Sequence, residues 1–322
     1  MPALFANSSL ENSPAGSASR EQLTSSPEIT VIIPAHDAWE PLAGCLQSLA
    51  EQERAPEFEV IVADDGSREP APSFIESWAS RLTLTIDRRL HSGPAAARNR
   101  ASRLASGAVL LFTDADCRLR KDCLAALHSA LADSPANDCF QLRLTGDCSR
   151  LAGRAEHLRL EMLQRHLTGA CWRINYLNTS GFAIRRQRLS GEIFDPSAYR
   201  GEDTLLLVKL MRTGELPLFV SAAVVEHSIT LPFLKCLAKD IGSGCREAKV
   251  DREIASKGVR IRMSHRERLG MLAPMWREAG RPAIGRSAYF VLLARQFVER
   301  ATSLTCRRLL WLTGFHKSAG PR

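Results

Sequence analysis

The segment EITVIIPAHD, residues 28–37, is the first indication of the fold class, because it contains an apolar, β-branched run that stops at a proline. Such a run is typical of a buried strand that opens into a loop. WEPLAGCLQSLAEQE (39–53) follows with leucines at helical spacing, and FEVIVADDGS (58–67) is a second apolar run. Strand, helix and strand in this order predict a βαβ unit of an α/β fold.

The alternation of strands and helices continues along the chain. GPAAARNRASRLAS (93–106) and GEDTLLLVKLMRTG (201–214) predict helices, whereas AVLLFTDAD (108–116), NTSGFAIRRQRL (178–189) and LPLFVSAAVVEH (216–227) contain strands. The strands of the first half are apolar throughout, which is typical of strands covered by helices on both faces. We therefore expect a sheet that lies between layers of helices.

The composition divides the chain into three parts. Residues 1–27 are rich in Ser and Pro and predict a disordered leader rather than a signal peptide. Residues 28–231 form the α/β domain, and the basic, helical residues 232–322 are expected to pack on it as an appendage. The longest apolar stretch, 287–304, contains Arg295 and two further charges, so we expect no transmembrane span.

Charge and cysteine content restrict the partners and the compartment. Lys and Arg number 43 against 35 Asp and Glu, which gives a net charge of +8 and favours anionic partners: nucleotides, nucleic acid or an acidic membrane surface. A solvated basic face would give the same balance. The nine cysteines show no CxxC pair and no zinc-ligand spacing, so we expect reduced thiols in a cytoplasmic protein.

Acidic residues follow three of the predicted strands. Asp37 comes after the first strand, Asp64 and Asp65 end the second, and Asp114 and Asp116 end the fourth. In sheets of this type, ligands bind beyond the carboxyl ends of the strands. The convergence of acids therefore predicts a ligand site at this edge.

Each acidic pair has a functional and a structural interpretation. In an extended segment Asp114 and Asp116 point the same way and could hold a divalent cation with its phosphate ligands, although a lone DxD is more often a solvated loop. Asp65 could accept hydrogen bonds from a base or ribose, or it could simply form an Asp-Gly-Ser turn. Glu202 and Asp203 could cap a helix or supply a general base.

His227 ends the last predicted strand of the domain. A neutral imidazole at this position could ligate a metal, or it could be an ordinary structural histidine. Neither interpretation is decided by the residue alone.

Five segments taken together resemble the family-2 glycosyltransferases of the GT-A fold. They are VIIPAHD, VIVADDGS, GPAAARNRASRLASGAVLLFTDADC, NTSGFAIRR and GEDTLLLVKLMRTG, in this order, within roughly residues 29–230. The resemblance implies a mixed, mostly parallel sheet between helices, a C-terminal helical appendage and an inverting hexosyl transfer that depends on a nucleotide sugar.

The resemblance also implies roles for individual residues. Asp203 matches the catalytic base and Glu202 helps to place the acceptor, while Asp65, with Asp64, contacts the base or ribose. The resemblance places Pro34, Ala35 and Asp37 in the nucleotide loop and Arg98 near the nucleotide. It matches Asp114 and Asp116 with the metal-binding DxD, of which Asp114 also contacts the donor, and His227 with the later histidine that binds the metal. Gly181 is matched with a residue of the cleft wall.

The implied reaction is a single displacement. Asp203 takes the proton of an acceptor hydroxyl, which attacks the sugar from the face opposite the leaving diphosphate, and Mn²⁺ or Mg²⁺ neutralises that diphosphate. We expect a UDP-sugar donor, a lipid-linked, peptide or small-molecule acceptor, and no nucleic-acid partner. The chain lacks the QxxRW segment of processive synthases, which favours single transfer, and it has His36-Asp37 where the family often shows Tyr-Asn.

Two other functions are compatible with parts of the sequence. A sugar-phosphate nucleotidyltransferase has a related sheet, but its glycine- and lysine-rich pyrophosphate loop is missing here. An inactive nucleotide-sugar-binding or scaffold protein would not need to keep both the DxD and the GED acids. The basic segments RIRMSHRERLG (260–270) and TCRRLLWLTGFHK (305–317) predict either attachment to the inner face of a membrane or simple packing on the domain.

Overall fold

The computed structural model describes residues 27–189, 191–196, 201–229, 233–256, 263 and 265–312. The predicted leader, residues 1–27, lies outside them except for its last residue. The strands are β1 Ile29–Ala35, β2 Phe58–Asp65, β3 Leu84–Arg89, β4 Val109–Phe112, β5 Cys117–Leu119, β6 Cys139–Gly146, β7 Phe182–Arg185 and β8 Leu218–His227. The helices are α1 Trp39–Ala50, α2 Ser73–Glu76, α3 Pro94–Leu104, α4 Cys123–Asp133, α5 Leu151–Leu167, α6 Glu202–Arg212, α7 Phe233–Ser256, α8 His265–Ala279 and α9 Arg286–Leu312.

Within the described residues the strands form one mixed sheet in the order β3-β2-β1-β4-β7-β6-β8-β5. The pairs β1–β2, β2–β3, β1–β4 and β6–β8 are parallel, and the other three are antiparallel. This confirms the mixed, mostly parallel sheet between helices. The parallel first half is what brings the carboxyl ends of β1, β2 and β4 to one edge.

The interior of β1 shows why its sequence lacks polar alternation. Val31 and Ile33 point into one hydrophobic cluster, where they pack with Leu46 of α1. Ile32 points into the opposite cluster, which contains Ala97 of α3. Because successive side chains of a strand point to opposite faces, a strand buried on both faces must be apolar at every position.

The DxD segment is a turn, not the end of a strand. The fourth strand ends at Phe112, and the Cys117 amide donates to the Asp114 carbonyl at 3.0 Å. The expectation that Asp114 and Asp116 share an extended segment is therefore wrong. The chain must reverse here, because β5 lies at the far edge of the sheet from β4 and pairs with β8.

The C-terminal helices pack on the α/β domain through α5. Ala155, Leu158 and Met162 of α5 form a third hydrophobic cluster with residues of α8 and α9 such as Met275 and Leu292. The region predicted as an appendage is thus joined to the domain by a core of its own. Inside this region α7 and α9 are in contact.

The contact between α7 and α9 is close and partly ionic. Arg295 donates to both carboxylate oxygens of Asp240, at 2.8 and 2.9 Å. A Cβ added at Gly244 would lie 2.3 Å from the Glu299 carbonyl oxygen, so only glycine permits this approach. The Sγ atoms of Cys245 and Cys306 lie 2.7 Å apart at the same contact. No helix in the described part of the chain is both long and apolar enough to cross a membrane.

Gln164 takes the place of a strand beside β6. Its buried amide accepts from the Leu144 amide and donates to the Leu144 carbonyl, both at 2.8 Å. The antiparallel pairing with β7 reaches only Gln141 of β6, so these backbone groups lie beyond it. Because an unsatisfied buried polar group is costly, they need the side chain as a partner.

We expect Gln164→Leu to lower the free energy of unfolding by about 2 kcal/mol, because it leaves both groups of Leu144 unpaired. Urea denaturation followed by circular dichroism measures the change. Gln47→Leu, at an exposed position of α1, is the control and should change the free energy by less than about 0.5 kcal/mol. Equal effects of the two substitutions would show that the Gln164 amide does not support β6.

Candidate active site

A cavity of about 620 Å³ lies at the carboxyl ends of the parallel strands. This volume is within the usual range for small-molecule sites. Most of the residues predicted from the sequence line it: Pro34, Ala35, Asp65, Arg98, Asp114, Asp116, Glu202, Asp203 and His227. Three others, Asp37, Asp64 and Gly181, are not part of its lining.

Arg98 joins two acids that come from distant parts of the chain. Its guanidinium donates to Asp114 Oδ1 and to Glu202 Oε1, both at 2.7 Å, and its side chain is buried. Burial lowers the pKa of Arg98, but the charges of Asp114 and Glu202 outweigh burial and raise it. The guanidinium therefore stays charged and holds the loop after β4 against the start of α6.

Both carboxylate oxygens of Asp114 are engaged. Oδ1 accepts from Arg98, and Oδ2 accepts from Ser180 Oγ at 2.6 Å. Ser180 is fixed in turn, because its amide donates to Asn178 Oδ1 at 2.8 Å. The buried Gln141 side chain accepts from the Asn178 amide at 2.8 Å, which ties this loop to β6. Asp114 is thus held in position by the protein through both of its oxygens.

Asp116 forms a pair with His227 across the β5–β8 contact. Asp116 Oδ2 and His227 Nε2 are 3.1 Å apart. Burial raises the pKa of Asp116, yet the hydrogen bond and charge of His227 outweigh it and lower the pKa below its usual value. For His227, burial lowers the pKa, and the interaction with Asp116 raises it above the usual value.

The acids of the turn suit a hard cation. Ligand atoms of Asp114, Asp116 and Cys117 lie within 4.8 Å of one another. Burial raises the pKa of Cys117 well above its usual value, so its protonated thiol is a poor ligand. The carboxylates of Asp116 and Asp114 remain as oxygen ligands that face the cavity, and the His227 imidazole can join them once it gives up its proton, a set that Mn²⁺ or Mg²⁺ can use. The residues present therefore fit a divalent cation.

The surroundings of Asp203 raise its pKa. Burial, and then the charge of Glu202, raise the pKa of Asp203 to about 6, although Thr204 opposes this by donating its amide at 2.6 Å. Gly201, which precedes the two acids, has φ +84°, a conformation that glycine adopts without strain. This turn starts α6 so that both carboxylates face the cavity.

Asp65 organises the loop before α3. Its two oxygens accept from the amides of Ser92 and Gly93, each at 2.9 Å, and His91 Nδ1 lies 2.9 Å from Oδ2. These contacts agree with the structural interpretation of Asp65, in which its carboxylate stabilises the local loop. Asp65 also lines the cavity. Its contact with a base or ribose stays a prediction.

Asp64 and Asp37 are engaged outside the cavity. Asp64 accepts from the Ser67 amide at 2.9 Å and lies 3.4 Å from Arg88, and Asp37 pairs with Arg68 at 2.8 Å. Both carboxylates shape the loops that follow β1 and β2. Their predicted contacts with a nucleotide stay predictions.

Several residues of the cavity could not be identified from the sequence. His36 and His91 have ring centroids 4.7 Å apart, and the cavity is also lined by Glu156, Arg159 and Lys239. The one available signal was the Glu156-Arg159 spacing in a polar helix. Burial raises the pKa of Glu156, but Arg159 outweighs burial and lowers it to about 2.

The mixed sheet between helices is the GT-A fold, which the solved structures described below share. Residues 30–194 match the family described as Glycosyl transferase family 2. The chain belongs to this family.

The curated relatives match over part of their length. The chain is 43% identical over 109 residues, 34% of its length, to the uncharacterized glycosyltransferase YfnE of Bacillus subtilis (strain 168). It is 30% identical over 122 residues, 37% of its length, to the poly(ribitol-phosphate) beta-N-acetylglucosaminyltransferase TarS of Staphylococcus aureus (strain Mu50 / ATCC 700699). The chain spans only 28% and 21% of these two relatives.

Solved structures share the fold over most of the chain. The mannosyltransferase PcManGT from Pyrobaculum calidifontis, in complex with GDP-Man and Mn²⁺, matches with a TM-score of 0.56 and 20% identity. The match covers 90% of this chain and 77% of PcManGT. S. aureus TarS 1–349 matches with a TM-score of 0.53 and 19% identity, over 89% of this chain and 92% of TarS 1–349.

We expect Arg98→Leu to lower the free energy of unfolding by about 3 kcal/mol, because it leaves the charges of Asp114 and Glu202 without their partner. Thermal and urea denaturation measure the loss. Arg103→Leu on the same helix is the control, since the exposed Arg103 lies 3.8 Å from Glu192 and such surface pairs contribute little. A similar loss for both variants would mean that the cavity does not depend on the Arg98 bridge.

Proposed function

We propose that the protein is an inverting, metal-dependent glycosyltransferase that makes a single hexosyl transfer from a nucleotide-diphosphate sugar to an acceptor hydroxyl. The observation that carries this proposal is the meeting of Asp203 with the Asp116–His227 pair in one cavity. Asp203 supplies a base for the acceptor, and the Asp116–His227 pair supplies a place for the leaving diphosphate.

The residues of the chain have separate tasks in this reaction. Asp203 removes the proton of the acceptor hydroxyl, and its raised pKa makes it a stronger base than an ordinary aspartate. Arg98 holds Glu202 and Asp114 in place, so that these acids position the acceptor and the donor. Asp116, His227 and Asp114 would hold Mn²⁺ or Mg²⁺, which supplies positive charge where the diphosphate leaves.

The donor and acceptor are proposed as classes. S. aureus TarS 1–349 has a structure in complex with UDP-GlcNAc, and PcManGT one with GDP-Man and Mn²⁺. We propose a UDP-sugar donor and a lipid-linked, peptide or small-molecule acceptor for this chain. We also place the protein in the cytoplasm, attached to the inner face of the membrane through its basic C-terminal region.

A donor panel with and without Mn²⁺ tests the proposed function. We expect sugar release or transfer from a UDP-sugar only with metal, and loss of metal-dependent nucleotide binding in Asp116→Asn. Asp122→Asn, an exposed acid just after β5, should behave like the wild type. A wild type that binds nucleotide sugar but never turns one over would favour an inactive binding protein. Full activity of Asp116→Asn would remove the metal site.

The pH profile of kcat/KM tests the assignment of the base. Asp203 acts when deprotonated, so the rate should rise with pH through about 6 and become level above it, falling about tenfold per pH unit on the acidic side. Asp203→Asn should keep donor binding and lose about 100-fold or more of the transfer rate. Asp133→Asn at the exposed end of α4 serves as the control. An active Asp203→Asn enzyme would place the base on another residue.

A further inference from the structure

The outward face of α9 is apolar. Phe290, Ala294, Phe297, Ala301 and Leu304 follow one another at intervals of three or four residues, and all are exposed. The exposed fractions of Phe290, Phe297 and Leu304 are 59%, 74% and 58%. At 1.5 Å per residue this row is about 21 Å long. A surface helix of a globular protein normally presents charged and polar residues here.

The neighbouring helix α8 extends the same surface. Leu269, Ala273 and Trp276 are exposed on α8, again at intervals of three or four residues. The Trp276 ring contacts the Phe290 ring edge-on, with centroids 5.9 Å apart. We call these eight residues the apolar hairpin face (Leu269, Ala273, Trp276, Phe290, Ala294, Phe297, Ala301 and Leu304).

The apolar hairpin face is not the side by which α9 attaches to the protein. Ala288 and Leu292 on the inner side of α9 are buried in the cluster with α5, and Arg295 is turned toward Asp240. The helix is therefore apolar on two sides, and the inner side alone satisfies the packing of the domain. Contiguous exposed apolar surface of this kind marks a binding surface.

The helices that form the apolar hairpin face also carry arginines. The Arg286 guanidinium lies over the Trp276 ring, 4.7 Å from its centroid. Further exposed arginines lie on α8 and at the end of α9: Arg266, Arg277, Arg307 and Arg308. Of the acids on these helices, Glu278 is buried, Glu299 is half-buried and Glu267 is exposed.

We propose that the apolar hairpin face inserts into the interfacial layer of an anionic membrane. Aromatic side chains between arginines are the composition that this layer favours, because the rings enter the acyl boundary while the guanidinium groups contact the lipid phosphates. A second copy of the chain fits this face less well, since a two-fold contact through it would bring the arginines of two copies together. The inference rests on the membrane attachment within the proposed function, and it assigns that attachment to named residues.

Vesicle flotation of the full chain tests the insertion. We expect the protein to float with vesicles of phosphatidylcholine and phosphatidylglycerol, and to bind phosphatidylcholine alone more weakly because the arginines then lose their partners. Phe297→Glu should reduce the bound-to-free ratio by about tenfold or more, because a charge replaces a large inserted ring. Phe74→Glu is the matched control, since Phe74 is 47% exposed on α2, and it should float like the wild type.

Three results would overturn the insertion. The first is that the wild type does not float, and the second is that Phe297→Glu floats as well as the wild type. The third is a dimer in light scattering that Phe297→Glu converts to a monomer, which would assign the face to a second copy. Donor turnover, measured without vesicles on the same protein preparations, separates the test of membrane insertion from the test of the proposed function. Flotation without turnover would contradict the transferase alone, and turnover without flotation would contradict the membrane face alone.

Discussion

The candidate site depends on one buried interaction, the Arg98 guanidinium between Asp114 and Glu202. These acids come from the turn after β4 and from the start of α6, and without a cation between them they would repel each other in a space of low dielectric. The helix that carries Arg98 can lie close to the sheet because its inner residues, Ala95 and Ala97, are small and buried. The Arg98 side chain thus joins two elements that are far apart in the sequence.

The acids of the cavity differ in how many of their oxygens are already engaged. Asp114 and Asp65 accept two or more hydrogen bonds from the protein, so their positions are fixed before any ligand arrives. Asp116 contacts chiefly His227, and Asp203 chiefly Thr204, so each keeps an oxygen for a ligand or a proton. The first group gives the site its shape, and the second leaves carboxylate oxygens available to a ligand or a proton.

The sequence predicted most of the strands and helices, and most of the site residues that it predicted do line the cavity, because parallel strands bring their carboxyl ends to one edge whatever the loops do. It did not predict that Asp114 and Asp116 lie in a turn, since that depends on the distant position of β5. It also missed His36, whose ring meets His91 only after β1 and β2 are paired. Lys239 lines the cavity because of the way in which α7 packs, and no local sequence pattern predicts that packing.

The inner side of α9 reaches the same charges that surround the candidate metal site. Arg295 pairs with Asp240 and lies 4.0 Å from Glu156, whose other oxygen is 4.0 Å from His227 Nδ1. The ionic contact extends to the cavity, because Glu156 joins Asp116 in favouring the protonated form of His227, and the charge of Glu156 is balanced first by Arg159 of α5 and then by Arg295 of α9. The helix that carries the exposed apolar row is therefore also part of the electrostatic surroundings of the cavity.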